Sequence, residues 1–218
     1  MNNMIVLDIE TIPTEIDPAY ATEQEAKLKE KYAKEETVAK YMAKLPDQWR
    51  WELGGSKPIC IGLKSLVTEE AWAFQSPDTK LLIETALKKM EEFSKAGTPA
   101  VPKVIGFNII SFDLQVLNTQ CSQLGINPRS LAPSVFPLRE SNVVDMIYKP
   151  YGKARNRESL ARYLHAFGLP PKTNDGSEVE ELWRLDQADG GKRVSEYCLS
   201  DVRLEGELYK RLNNFILL

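Results

Sequence analysis

The chain has 218 residues, 43% hydrophobic and 27% charged, the composition of a soluble globular protein and not of a disordered or fibrous one. Lys and Arg total 28 against 31 Asp and Glu, a formal charge of -3, which excludes nucleic-acid binding by global charge alone but leaves local or cation-mediated binding open. Cys60, Cys121 and Cys198 lie far apart with no C-x-x-C spacing, so they make neither a zinc site nor a disulfide framework and fit a reducing compartment.

Met1-Asn2-Asn3-Met4 lacks the basic start and long apolar run of a signal peptide, and no apolar stretch is long enough for a membrane span. A cytoplasmic protein without a membrane partner is expected. Met4 to Ile9 is an almost unbroken apolar run closed by Glu10-Thr11-Ile12-Pro13, which predicts a buried strand stopping at the proline. From Ala21 to Leu45 the character turns to Lys, Glu and Ala. Glu23/Lys27, Glu25/Lys29, Glu30/Lys34 and Glu36/Lys40 have the favourable spacing and order for one exposed helix. This stretch, about residues 14–55, reads as a helical insertion after the first strand, stopped by Pro46 and followed by the Gly54-Gly55 loop.

Two strands are then predicted, Pro58 to Val67 and Ala71 to Gln75. A helix follows over Lys80 to Lys95, with Leu81, Leu82, Ala86, Leu87, Met90 and Phe93 in helical period. Lys103 to Ile109 reads as a buried strand, and Ser111 as the cap of a helix that ends at Gly125. Asn127 to Ser141 is Pro-rich loop, Asn142 to Tyr148 a short apolar run, and helices are predicted at about Arg157–Phe167, Ser177–Leu185 and Arg193–Phe215. The order of elements predicts one α/β domain over residues 1–218, a mixed sheet with helices on its faces.

Acids stand where apolar residues are expected. On the first strand Met4, Val6, Asp8 and Glu10 share one side, and two carboxylates about 7 Å apart on a buried face repel each other and lose hydration. The last helix has an apolar stripe of Val194, Tyr197/Cys198, Leu204, Leu208 and Leu212, interrupted by Asp201. A bare carboxylate there costs several kcal/mol unless it is paired or bound to a metal. Pairing with Arg203 or Arg193 is the plain alternative. Tyr197 lies four residues before Asp201 on the same helix face. Asp113 falls in the first turn of its helix, where the macrodipole favours an anion. Taken together, Asp8, Glu10, Asp113 and Asp201 are hard oxygen donors suited to two divalent ions, Mg²⁺ or Mn²⁺. Two such ions form the clamp for in-line attack on a phosphodiester.

With these motifs in this order, the sequence resembles the DEDD superfamily of 3′–5′ exonucleases, which have a ribonuclease H-like fold. Leu7-Asp8-Ile9-Glu10-Thr11 matches its first motif, Asn108 to Asp113 (N-x-x-x-F-D) its second, and Tyr197-Cys198-Leu199-Ser200-Asp201-Val202 its third, in the tyrosine form. The histidine form needs His at position 196, which is Glu; the sole histidine, His165, lies elsewhere. Ser159-Leu160, Gly168 to Lys172 and Asp175 to Val179 are similar to stand-alone exonucleases related to the proofreading domain of B-family DNA polymerases. Residues 14–55 do not align.

The resemblance implies that Asp8 bridges two metals, that Glu10 and Asp201 hold the one activating water, that Asp113 helps hold the second, and that Tyr197 orients the water. Release of nucleoside 5′-monophosphates from single-stranded DNA or frayed 3′ ends follows, with short RNA as an alternative substrate. A non-catalytic nucleic-acid-binding or partner-docking module is the alternative of another class. Thr11 and the Ile9 backbone are expected at the terminal nucleotide, Phe112 beside a terminal base, and Asn108 either on substrate or capping its strand. No polymerase region accompanies the motifs, so proofreading would need a separate polymerase or a replication and repair partner. Asp145 reads as structural. Lys149, Lys153, Arg155 and Arg157, interleaved with Tyr151, form a basic run that either tracks phosphates or is simply solvated. Trp49 and Trp51 are expected to bury the insertion, with base stacking as the alternative.

Overall fold

Side chains of a strand alternate between two faces, and in the first strand that alternation separates two kinds of chemistry. Strand β1 (Met4–Pro13) sends Ile5, Leu7 and Ile9 into one apolar core and Val6 into another, with Asp8 and Glu10 following Val6 on the second side. The computed structural model describes residues 4–52, 54–95, 102–127, 142–147, 158–172, 176–185 and 187–216. The expectations for the basic run Lys149–Arg157 and for most of the Pro-rich loop lie outside the described residues.

The chain divides into two compact units: Met1–Thr11 with Pro58–Leu218, and Ile12–Lys57. The first carries the α/β architecture. β2 (Ser56–Ser65) pairs antiparallel with β3 (Ala71–Gln75), Cys60 facing Gln75 and Lys64 facing Ala71. β1 pairs parallel with β4 (Lys103–Gly106), and β4 parallel with β5 (Val143–Asp145). The five-stranded sheet has the order β3-β2-β1-β4-β5, mixed as expected, with β1 at its centre.

In the second unit, α1 (Pro18–Lys31), α2 (Glu35–Met42) and α3 (Leu45–Trp49) replace the single predicted helix. Tyr32 leaves helical geometry for an extended backbone, and its ring stacks on Tyr41 with centroids 5.0 Å apart. Glu23–Lys27 and Glu25–Lys29 close at 2.6 Å on α1, whereas the Glu30/Lys34 spacing straddles the break. Trp49 is buried, giving its indole N–H to Thr14 Oγ1 at 3.0 Å and packing on Tyr20. Trp51, expected to bury with it, is 70% exposed.

Two helices cover one face of the sheet: α4 (Thr79–Lys95), through Leu82, Ile83, Ala86 and Met90, and α5 (Asp113–Leu124), through Leu114, Leu117 and Cys121. α5 starts one residue later than predicted: Phe112 is its N-cap and Ser111 is exposed in the preceding turn. β4 ends at Gly106 rather than Ile109, because the chain turns sharply at Asn108. On the other face, α6 (Leu160–Ala166) contributes Tyr163 and Leu164, and α8 (Gln187–Ile216) contributes Val202, Leu208, Tyr209 and Leu212. α7 (Val179–Leu185), preceded by a 3-10 turn at Gly176–Glu178, packs on α8. His165 on α6 is exposed. Each buried Leu or Ile contributes about 1.5–3 kcal/mol, so both faces hold the sheet. Among the described residues no helix is long and apolar enough to cross a membrane.

Candidate metal centre

Close approach of α8 to the sheet builds the centre. A Cβ on Gly62 of β2 would stand 2.7 Å from Cys198 Sγ and 2.8 Å from Val202 Cγ1, so this strand position accepts only glycine while the helix lies where it does. The approach sets Tyr197, Cys198 and Asp201 over the C-terminal half of β1. Cys198 Sγ lies 3.7 Å from the Asp8 carbonyl oxygen and 3.8 Å from Asp8 Oδ2. One ligand atom each from Asp8, Glu10 and Cys198 falls within a span of 4.8 Å.

Asp113 arrives from the opposite side, and the turn after β4 positions it. Asn108 sits at φ 58°, a left-handed conformation that asparagine adopts more readily than most residues. Asp145 clamps this turn, accepting the N–H groups of Asn108 at 2.9 Å, Ile110 at 3.1 Å and Ile147 at 3.1 Å, the structural role expected of it. Gly106 permits the tight packing, since a Cβ there would meet Ile109 Cβ at 2.8 Å and the Leu7 carbonyl at 2.9 Å. Asp113 then opens α5 with its Oδ1 accepting the Ile9 N–H at 3.0 Å, which ties the helix start directly to β1 between Asp8 and Glu10.

Glu10, Asp113 and Asp201 are buried and Asp8 is half-buried. Burial, and then the charge of Asp201, push the Asp8 carboxyl up to about 7. Glu10 is raised by burial and by Asp8 and Asp201, and Asp113 by burial and Asp8. The cation beside them is not the predicted Arg193 or Arg203, both of which are exposed, but Lys172. Its Nζ lies 2.5 Å from Asp201 Oδ2 and 4.6 Å from the centre of the Tyr197 ring. Burial lowers the Lys172 pKa, but Asp201, Asp8 and Glu10 outweigh that effect and leave it raised. Burial also raises Asp201 despite this partner. The Tyr197 hydroxyl is raised far above its usual value by burial and by Asp201, Glu10 and Asp8, so it remains a neutral O–H. A Cβ on Gly176 would lie 3.4 Å from that hydroxyl, which places the 3-10 turn against it.

Glu205 is the acid the sequence reading missed. It is 2% exposed and stands four residues beyond Asp201 on α8. Burial raises its pKa, followed by the charges of Asp8, Asp113 and Asp201. The predicted stripe passed through Leu204, which is only partly buried. The 197, 201, 205 spacing was the available signal, and Lys172 offered none beyond its place in the Gly168–Lys172 segment. Among the described residues, Asp201 Oδ1 and Glu205 Oε2 are buried without a hydrogen-bond partner. Orphaned carboxylate oxygens beside crowded acids, with Lys172 as the opposing charge, are a donor set that fits divalent cations.

The residues expected at the substrate are placed unevenly. Thr11 and Asn108 are partly exposed, and Phe112 packs partly into the core under α5. The Ile9 side chain is buried in that core, and its N–H is committed to Asp113.

No protein-family model matches the sequence, and neither does any curated protein. Among solved structures, the chain is similar to the family B DNA polymerase from the hyperthermophilic archaeon Pyrobaculum calidifontis, with a TM-score of 0.63 at 18% identity. The match covers 100% of this chain and 25% of the polymerase chain, so the protein spans about a quarter of that neighbour's length. This likeness is one of fold, an α/β mixed sheet flanked by helices that fits the ribonuclease H-like class.

Proposed function

We propose that this protein is a metal-dependent 3′–5′ exonuclease of the DEDD type with the tyrosine form of the third motif. It removes nucleoside 5′-monophosphates from single-stranded DNA or frayed ends. The observation that carries the reading is the convergence of Asp8 and Glu10 on β1, Asp113 on α5 and Tyr197 and Asp201 on α8, with an orphaned oxygen on Asp201. In this reading residues 1–218 are one catalytic domain in which Ile12–Lys57 is an insertion. The partners are a 3′ end and a separate polymerase or a replication and repair protein.

Asp8, Glu10 and Asp201 would hold one Mg²⁺ or Mn²⁺, and Asp8 with Asp113 the other. Such ions, when bound, supply an acidified water and neutralise charge on the leaving oxygen. The chain's own groups do the rest. The Tyr197 hydroxyl, kept protonated, orients the attacking water by a hydrogen bond and does not act as a base. Asp113, fixed on the Ile9 N–H, keeps its carboxylate in register with Asp8. Thr11 and Asn108 present polar groups to the terminal nucleotide, and Phe112 an apolar edge.

The Lys172–Asp201 ion pair favours a second reading, a nucleic-acid-binding or partner-docking module in which a lysine stands permanently in the place of a cation. A 5′-labelled single-stranded DNA and its RNA counterpart, incubated with Mn²⁺, Mg²⁺ or EDTA, separate the two. The exonuclease gives a ladder from the 3′ end that requires metal, with the faster substrate identifying the preferred sugar. Folded wild-type protein that binds the strands and yields no ladder overturns the enzyme and leaves the module.

A further inference from the structure

The ligand sets around Asp8 and Glu10 differ in chemical softness. One is completed by Asp201, whose Oδ2 is engaged by Lys172. The other is completed by Cys198, which is fully buried and aims its thiol at Asp8. We propose that Asp8, Glu10 and Cys198 form a binding site for a thiophilic divalent ion, Zn²⁺ or Cd²⁺. On the nuclease reading, occupancy of that site shuts the centre off.

Size is the first argument. Zn–S and Zn–O bonds of about 2.3 Å and 2.1 Å at a tetrahedral angle put sulfur and oxygen about 3.6 Å apart. Cys198 Sγ stands 3.8 Å from Asp8 Oδ2, and all three donor atoms lie within 4.8 Å, so ordinary side-chain adjustment closes the set. Availability is the second. The Asp201 set already faces the Lys172 ammonium on Asp201 Oδ2, which repels a second cation, whereas the thiol set does not draw on that ion pair. The orphaned Asp201 Oδ1 beside the set shows that its demand for positive charge is not met by Lys172 alone.

Softness is the third argument. A thiolate raises affinity for Zn²⁺ and Cd²⁺ far more than for Mg²⁺. Cys60 on β2 lies beside Cys198, a second sulfur at the edge of the site; its hydrogen bond, burial and the neighbouring acids hold the free Cys198 thiol protonated, so the metal itself has to displace that proton. On binding, the Cys198 S–H bond breaks, its proton leaves to solvent, and the sulfur lone pair forms the bond to the metal; no oxidation is involved. Because the ion would occupy Asp8 and Glu10, it excludes the catalytic ions from their shared ligands. That consequence rests on the proposed nuclease activity, and the binding itself does not.

The test is titration of the 218-residue protein with Cd²⁺, following the ultraviolet Cd–thiolate charge-transfer band. Wild type should bind one equivalent with the band. Cys198→Ser should lose it, and Cys121→Ala, altered in the opposite core, should keep it. Asp8→Asn, which retains every cysteine, should weaken Cd²⁺ binding by at least about tenfold. Circular dichroism verifies the fold of each variant, and the Asp8→Asn arm stands even where a cysteine variant fails to fold. A band that persists in folded Cys198→Ser, no band in wild type, or unchanged affinity in Asp8→Asn overturns the site. In the DNA assay with Mn²⁺, the Zn²⁺ concentration that halves each protein's own rate should rise at least about tenfold for Cys198→Ser; an unchanged value overturns the inhibitory role. Absence of any nuclease activity removes only that last arm and counts against the proposed function, not against the ion site.

Discussion

The two faces of the central sheet are built from the same strands and do opposite things. Under α4 and α5, Ile5, Leu7, Ile61, Leu63, Leu82, Ile83, Leu117 and Cys121 close a continuous apolar core. Under α8 the core begins the same way, with Val6, Ile105, Val202 and Leu208, and then gives way to Asp8, Glu10, Asp201 and Glu205 at the end of β1. The first face stabilises the fold by excluding water. The second gives up part of that stability to hold carboxylates in partial desolvation, opposed by Lys172. A bound cation would relieve that crowding.

The largest expected effect comes from removing the acids. Asp8→Ala and Asp201→Ala should each lower metal-dependent release of 3′ nucleotides by at least about a thousandfold, read from the 5′-labelled ladder. Asp8→Ala should leave the metal-free protein at least as stable as wild type, since it deletes a member of a mutually repelling set, whereas Asp201→Ala also strips Lys172 of its ion-pair partner and should cost stability.

Metal-free stability should also fall with rising pH. Asp8 titrates near 7 in the folded state against an ordinary 3.8, so the folded protein holds the extra proton between those values. The stability linked to that proton is complete below about pH 4 and is lost as pH rises through 7, by roughly 4 kcal/mol for Asp8 taken alone. Denaturant unfolding at pH 5 and pH 8 in EDTA measures the slope. Asp8→Asn or added Mn²⁺ should flatten it.

Matched substitutions on the two faces sharpen the contrast. Leu117→Ala on the apolar face should cost about 2–4 kcal/mol by opening a cavity. Glu205→Gln on the acidic face should raise metal-free stability by about 1–2 kcal/mol, because it removes a buried acid whose ionisation the site disfavours and whose oxygen has no partner among the described residues. A loss of stability in Glu205→Gln comparable to that of Leu117→Ala would erase the distinction between the faces. The smallest effect is expected at the turn that carries Asp113: Asn108→Ala should cost about 1 kcal/mol for its positive φ, while Asn108→Gly should be close to neutral.

Much of this arrangement was legible along the chain. Strand alternation placed Asp8 and Glu10 on one side of β1, and helical period placed Tyr197 and Asp201 on one side of α8. The Gly125 stop, at φ 67°, fell where the α5 pattern ends. Less was legible where two local solutions are nearly equal. At 100° per residue, positions 204 and 205 lie 60° and 40° to either side of Asp201, and periodicity does not choose between Leu204 and Glu205. The close packing of α8 on Gly62 chooses Glu205. The insertion is a similar case: nothing in Tyr32-Ala33-Lys34 forbids a continuous helix, and the chain breaks there because Tyr32 stacks on Tyr41 and Val38 is buried.

By itself, then, the sequence determined the local periods: which residues share a strand face or a helix face, where chains stop at proline and glycine, and that acids interrupt apolar stripes. Those properties depend on backbone geometry over a few residues. Only the tertiary structure decided that Lys172 and not an arginine of α8 meets Asp201, that Asp113 is fastened to Ile9, and that Cys198 points at Asp8. Each joins segments far apart in the chain, and desolvation and Coulomb attraction depend on distance in space.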